Sequence, residues 1–327
     1  MIRRLGLLGL AVALIGAAPQ RGDVGPIIDM HLHAYTADAQ GPPPVVVCAP
    51  YETMPGRDPR ASDERYAGDT FKVSRCRHPI WSARTDDALR AESLAMLRRY
   101  DITAVTGGPM LARWRAEGGA RIIPSLEFAL SDAPTPAAIR AMAKAGTIRM
   151  LGELTTQYEG VAPDDPRLEP YWALAEELDL PVGIHMGPGP PGAAYLGAPK
   201  FRMSVGDPLL LEPVLLRHPR LRVYVMHAGW PMIDRMIALM YEYPQVHVDT
   251  AVIGFTQPRA EFYAYLKRLV DAGYGKRIMF GSDQMVWPGA IPVAIDAIRQ
   301  APFLTPAQKR DILHDNAARF LRLSGTP

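Results

Sequence analysis

Eight short apolar stretches, spread along nearly the whole chain and separated by helical patterns, constrain this sequence more than any other feature. They fall at 27–33, 102–107, 121–128, 148–154, 181–186, 222–228, 246–252 and 277–282. Runs such as PVGIHM and RVYVMH are almost continuously apolar, as expected of parallel strands covered on both faces. Between the runs, Tyr171, Leu174 and Leu178 keep helical spacing, as do Phe262, Leu266 and Leu269. Thr305-Pro306-Ala307-Gln308 combines an N-cap, a first-turn proline and a capping-box glutamine. Eight strands alternating with helices predict an α/β fold, a closed (β/α)8 TIM barrel rather than an open doubly wound sheet. No glycine-rich phosphate loop opens any helix, which removes the main support for a dinucleotide-binding fold. A length of 327 residues suits one such barrel with insertions, and neither a repeat nor a linker divides it.

Residues 1–18, MIRRLGLLGLAVALIGAA, run from a short basic start through an apolar stretch to small residues. This is the anatomy of a secretory signal peptide cleaved near Ala18. The apolar stretch Leu5–Ala18 has 14 residues, too few to span a bilayer without strain, and no cysteine follows it to carry a lipid. The expected product is a single barrel domain, 19–327, soluble and periplasmic or secreted, with no membrane partner once the signal is removed. Self-association into a homo-oligomer is compatible with this. Without Arg3 and Arg4, the 36 basic residues become 34, equal to the 34 acidic ones, so no basic footprint points to nucleic acid or an anionic membrane. Cys48 and Cys76 lie 28 apart in one proline-rich stretch. An exported chain can oxidise them, and the sequence leaves a bridge and two free thiols as alternatives. Neither belongs to a CxxC pair, so a zinc knuckle or thioredoxin-type site is unsupported.

Two stretches exceed a minimal barrel. Residues 34–84, after the first strand, carry prolines, both cysteines and little periodicity; residues 187–207, after the fifth, are rich in glycine and proline. Both follow the C-terminal ends of strands, where barrel active sites lie, and both are expected to be lids. Polar ligand types collect at the same strand ends. The first strand closes Asp29-Met30-His31-Leu32-His33, where alternation puts His31 and His33 on one face, suited to sharing a metal ion. The fourth closes on Glu153, the fifth on His185, the sixth on His227 and the eighth on Asp283. Buried imidazoles and carboxylates are costly unless paired or metal-bound, so packing alone does not account for this series.

The ordered set IIDMHLH, GE, IH, MHAGW and FGSD, with DNAARFL near the end, resembles the amidohydrolase superfamily, and within it the amidohydrolase-related group (amidohydrolase family 2) that includes the α-amino-β-carboxymuconate-semialdehyde decarboxylase type. The motifs span residues 27 to 322. The resemblance implies a (β/α)8 barrel with one or two divalent metals, commonly zinc. It implies His31, His33, His185 and Asp283 as ligands, and Glu153 at the strand-four position of a bridging carboxylate or carboxylated lysine. His227 is then a ligand of a second ion or, with one ion, a free acid–base and polarising group.

From these residue types the expected chemistry is hydrolysis of an amide, ester or lactone of a small molecule. A metal lowers the pKa of water and polarises a carbonyl, Asp283 moves the proton, and His227 holds the substrate oxygen or second ion. The alternatives are a metal-dependent decarboxylase and a non-catalytic metal-binding barrel. Glu153 favours hydrolysis, because the resemblance implies that decarboxylases of this group generally manage without a strand-four ligand. A nuclease with the same HxH and strand-four glutamate is disfavoured by the neutral charge and the export signal. Metal content tests the binding-only reading, and carbon dioxide release separates lyase from hydrolase. Asp249 and Glu127 also end strands, each with pocket lining and ordinary hydrogen bonding as alternatives. His78, His218, His247 and His314 are read as surface or packing residues. Trp230, Tyr158, Arg202 and Trp287 are positioned to touch substrate or to pack behind the pocket.

Overall fold

The computed structural model describes residues 25–323; the signal-peptide expectation at 1–18 lies outside the described residues. The strands, in chain order, are β1 (Ile27–His33), β2 (Val46–Cys48), β3 (Pro79–Trp81), β4 (Ile102–Gly107), β5 (Ile122–Phe128), β6 (Met150–Leu154), β7 (Val182–His185), β8 (Val223–Met226), β9 (His247–Asp249) and β10 (Ile278–Met279). Eight of them form one parallel sheet in the order β1-β4-β5-β6-β7-β8-β9-β10, while β2 and β3 make a separate antiparallel pair. Two backbone hydrogen bonds, from Met30 N–H to Phe280 O (2.9 Å) and from Asp283 N–H to His31 O (2.7 Å), join the last strand to the first. The sheet therefore curls into a nearly closed α/β barrel, as the alternation predicts.

The last four barrel strands, β7 to β10, stop short of the C-terminal ends of their apolar runs. The run 222–228 stops as a strand at Met226, and 277–282 at Met279. Beyond these points the backbone turns to aim His227 and Asp283, a demand that a continuing ladder would oppose.

The barrel interior is filled at its base by Ile28, Met30, Val105, Ile123, Met150, Tyr224 and Met279, against which Ala317, Ala318 and Phe320 of the C-terminal helix Asn316–Phe320 pack. The larger apolar core lies between the sheet and its outer helices, with Leu89, Trp114, Ile139, Trp172, Phe262 and Ile295 reaching inward. Helix Arg259–Asp271 buries Phe262, Leu266 and Leu269, and helix Glu169–Glu177 buries Tyr171 and Leu174, as their spacing predicts. The Thr305 capping box forms with both of its hydrogen bonds. Among the described residues, no helix is long and apolar enough to cross a membrane.

Both insertions sit over the barrel mouth. The first is more regular than its sequence suggests. It holds the β2–β3 hairpin and a helix, Asp63–Phe71, whose N-cap Ser62 accepts from Arg65 N–H. Cys48 and Cys76 are disulfide-bonded, so of the two alternatives the bridged loop is the one realised. The second insertion follows β7 and is built from short 3-10 turns, Ala193–Tyr195 and Met203–Gly206. Tyr66 of the first insertion donates to the Pro191 carbonyl of the second at 2.8 Å, linking the two.

At the barrel's other end, His247 opens β9, packs its ring 4.9 Å from Phe320 and places Nδ1 3.0 Å from the Gln245 carbonyl. Burial lowers its pKa to about 4. The unfolded chain thus binds a proton that the folded chain refuses between pH ~6.5 and 4, so stability is lost as pH falls through that window. The loss is at most about 3 kcal/mol. Denaturant titrations at pH 7 and 4.5 should show a smaller acid loss for His247→Phe than for the unsubstituted protein; identical losses would contradict this assignment.

Candidate metal centre

Two strand irregularities set the site. Asp29 pairs with Ala104 and Leu32 with Thr106, so β1 carries one more residue than β4 between those points. Ile28 and Met30 face the apolar interior below this bulge, and His31 and His33 turn into the mouth above it. In β6, Leu151 and Leu154 pair with Leu126 and Phe128 on one side and with Val182 and Ile184 on the other. The extra residue lies at Gly152-Glu153. Bulges of this kind re-aim a side chain at the cost of ladder pairing. Gly152 has φ +147, and a Cβ there would meet the Gly183 carbonyl oxygen at 2.9 Å, so the turn that delivers Glu153 requires glycine.

The structure brings all six expected ligands together. His31, His33, Glu153, His185, His227 and Asp283 are buried and form three overlapping donor groups: His31-His33-Glu153, His31-His227-Asp283 and Glu153-His185-His227. His31 Nε2 lies 3.1 Å from His33 Nε2, and Asp283 Oδ1 lies 3.0 Å from His33 Nε2. His185 Nδ1 lies 2.9 Å from His227 Nε2. The Glu153 carboxylate stands between these sets. Its Oε2 is 3.6 and 3.7 Å from the Nε2 atoms of His31 and His33. Its Oε1 is 2.7 Å from His185 Nδ1 and 3.4 Å from His227 Nε2.

Hydrogen bonds behind the cluster set the imidazole tautomers. His31 Nδ1 lies 3.2 Å from Asp249 Oδ2, His33 Nδ1 3.1 Å from Glu127 Oε2, and His227 Nδ1 3.2 Å from the Ala251 carbonyl. These partners only accept, so each Nδ1 carries a hydrogen, and each Nε2 presents a lone pair inward once its own proton is displaced. Asp249 also accepts from the His227 N–H at 2.7 Å. Glu127 lines the pocket while Asp249 does not, and both hydrogen-bond to the cluster histidines, a role neither alternative named. Tyr35, Asp29 and Gln284 were not singled out from sequence. Tyr35 stacks on His33 with centroids 4.3 Å apart and donates to Glu127 Oε1 at 2.5 Å. Asp29 accepts from the His31 and Ser282 N–H groups. Gln284 brackets the His33 backbone, accepting from its N–H and donating to its carbonyl. Alternation continued from His31 and His33 to Tyr35 is the signal that could have found one of them.

The electrostatics explain the need for a cation. Burial would lower the pKa of His33, but the Glu127 and Asp283 carboxylates outweigh it and push it up to about 10. Burial raises Glu153, yet the surrounding histidines hold it well below the usual carboxylate range. Burial alone dominates for Asp29, pushed up to about 6. The donor set fits a divalent metal on two grounds. Two donors about 2.1 Å from one ion stand about 3.0–3.4 Å apart; His31–His33 at 3.1 Å, His33–Asp283 at 3.0 Å and Glu153–His227 at 3.4 Å meet this, and the other quoted pairs lie between 2.7 and 3.7 Å. His185 Nε2 and Asp283 Oδ1 are also buried without a hydrogen-bond partner, a costly condition in a cluster otherwise so well connected.

Above the cluster lies a cavity of about 930 Å³, lined by residues of both insertions together with Tyr158, Arg202, Trp230 and Trp287. All four candidate contact residues thus face it. His78, His218, His247 and His314 lie outside the three donor groups.

This barrel and donor series define the class, and the chain belongs to the amidohydrolase family, whose model matches residues 28–323. A search of curated proteins gives no match. Among solved structures, it is similar to 5-carboxyvanillate decarboxylase from Sphingomonas paucimobilis, at 17% identity and TM-score 0.59 over 91% of this chain and 99% of that one. It is similar to a probable 2-pyrone-4,6-dicarboxylic acid hydrolase from Acinetobacter baumannii, solved with citric acid, at 14% identity and TM-score 0.55 over 91% and 99%. It also resembles 5-carboxyvanillate decarboxylase from Novosphingobium aromaticivorans, solved with manganese and 4-hydroxy-3-methoxy-5-nitrobenzoic acid, at 15% identity and TM-score 0.56 over 92% and 97%. At these identities the likeness shows the fold.

If Glu127 orients His33, Glu127→Gln should weaken divalent-metal affinity about 10- to 100-fold in a chelator competition, with little change in the melting temperature of the metal-free protein. Unchanged affinity would assign Glu127 a packing role.

Proposed function

We propose that this chain is a metal-dependent hydrolase that cleaves an amide, ester or lactone of a small molecule. The observation that carries this reading is the division of the Glu153 carboxylate, Oε2 towards His31 and His33 and Oε1 towards His185 and His227. A carboxylate so placed suits two ions: His31, His33 and Asp283 would hold one, His185 and His227 the other, and Glu153 both. Zinc suits the nitrogen-rich donors, and manganese in a structural relative supports a divalent ion more generally. Such ions, when bound, polarise a carbonyl and bring the pKa of water towards neutrality.

The chain's own groups supply the rest. Asp283 Oδ2, 4.0 Å from His227 Nδ1, takes the proton of the attacking water and delivers it to the leaving nitrogen or oxygen. Asp249, Glu127 and the Ala251 carbonyl keep three imidazoles in one tautomer, so no proton moves through them. Tyr35, stacked on His33, and Tyr158, tilted against His185, shield the flanks of the cluster from water.

Decarboxylation is the second reading, favoured by the names of two of the structural relatives. Release of carbon dioxide from a hydroxybenzoate, with no ester, lactone or amide turned over, would establish it. Under the hydrolase reading, Asp283→Asn should keep most of its metal while turnover falls about 10²- to 10⁴-fold. Glu153→Gln should take metal content from about two ions per chain towards one. Elemental analysis beside turnover checks both. Full turnover in Asp283→Asn, or a single ion per chain before substitution, would defeat the corresponding assignment.

A further inference from the structure

The cavity leading to the cluster has a sharp division of chemistry. Its carboxylates, Glu127, Glu153 and Asp283, sit at the metal end. The outer wall is mostly apolar, with Val47 and Phe71 from the first insertion, Leu196 and Phe201 from the second, and Trp230 and Trp287 from the loops after β8 and β10, and its polar members, Gln40 and Gln257 among them, are neutral apart from Arg202. Among the lining residues, Arg202 is the one permanent cation, and it is turned away from the role of a carboxylate clamp. It is exposed, and its Nη1 donates to the carbonyls of Pro199 and Phe201 on its own loop, each at 2.8 Å. A negative group placed beyond the scissile bond would therefore lose its water and find neutral donors such as Gln40 and Gln257 but no cation aimed at it, and burying a charge without an opposite charge is unfavourable. An apolar body gains instead, and a volume near 930 Å³ is at the upper end for a small-molecule pocket.

We infer that the substrate is an uncharged carboxylic ester or lactone with a sizeable apolar body, held by the insertions while its carbonyl faces the metal centre. This rests on the hydrolase reading and narrows it. In the reaction, the oxygen of water forms the new bond to the acyl carbon and the acyl C–O bond breaks. The proton from water passes through Asp283 to the departing alkoxide, giving an acid and an alcohol.

The test uses the metal-loaded protein with 4-nitrophenyl acetate, butyrate and hexanoate, and with the mono-4-nitrophenyl ester of adipic acid, a chain of the hexanoate length ending in a carboxylate. The ratio kcat/KM should rise about three- to four-fold per methylene from acetate to hexanoate, and the adipate ester should fall at least tenfold below hexanoate. In parallel, calorimetry should show hexanohydroxamic acid binding at least tenfold tighter than adipic monohydroxamic acid, a comparison that needs no turnover. Phe71→Lys, which puts a cation in the outer wall, should close most of that gap; should this variant fold poorly, the unsubstituted protein decides. Equal or tighter binding of the carboxylate-ended hydroxamate, or equal or faster turnover of the adipate ester, overturns the inference while leaving a hydrolase. If instead the hydroxamates keep the expected order but no ester is cleaved, the hydrolase reading fails and the preference for an apolar, uncharged body stands.

Discussion

Glu153 is only 7% exposed, yet it is ionised, and each of its oxygens faces a different pair of imidazoles. A carboxylate cannot be kept in such a place by packing; it needs positive charge on both sides. Protons on the histidines can provide it, and so can cations, but cations also meet the geometry, since the donors stand at the separations of ligands on a common centre. Much of the barrel mouth follows from that requirement. Asp249 and Glu127 are buried behind His31 and His33 to hold the rings, Tyr35 is drawn against Glu127, and Gln284 and Asp29 pin the backbone that carries the histidines.

The same requirement explains where the backbone departs from regularity. The bulges in β1 and β6 fall where His31 and Glu153 must turn from the sheet into the mouth. Five residues with positive φ that are not glycine, His227, Ala228, Val252, Asp283 and Met285, lie on the loops after β8, β9 and β10. Such conformations cost of order 1–3 kcal/mol each and persist only where neighbouring contacts over-determine them. Here the contacts are visible. The His227 N–H is held by Asp249, the Asp283 N–H by the His31 carbonyl, and Val252 N–H reaches Ser282 O. Regular structure is given up around the donors and kept at the barrel's apolar base.

The insertions supply what the barrel lacks. A bare barrel mouth would leave the cluster open to water, which screens charge. The first insertion, tied across by Cys48–Cys76, and the proline-rich second one enclose it with apolar surface. The donor cluster and its enclosure are therefore made by different parts of the chain.

Much of this was legible in the sequence. Alternation of apolar runs with helical spacing announced the barrel, because a parallel strand covered on both sides has a composition that few other structures share. The six donors were also legible, since a histidine or carboxylate at the end of an apolar run, repeated at the same end of different strands, has no ordinary packing explanation. The roles of Glu127 and Asp249 were not, because a lone acid at a strand end looks the same whether it meets a loop or an imidazole from a strand 94 or 218 residues away. Gln284 was invisible for the same reason. Strand periodicity placed His31 and His33 together, but not the bulge that turns them into the mouth, because one extra residue in a ladder is defined only against the neighbouring strand. The Cys48–Cys76 bridge and the apolar outer wall likewise belonged to tertiary structure. Pairing depends on how the insertion folds back, and the character of a cavity depends on which side chains face one another across it.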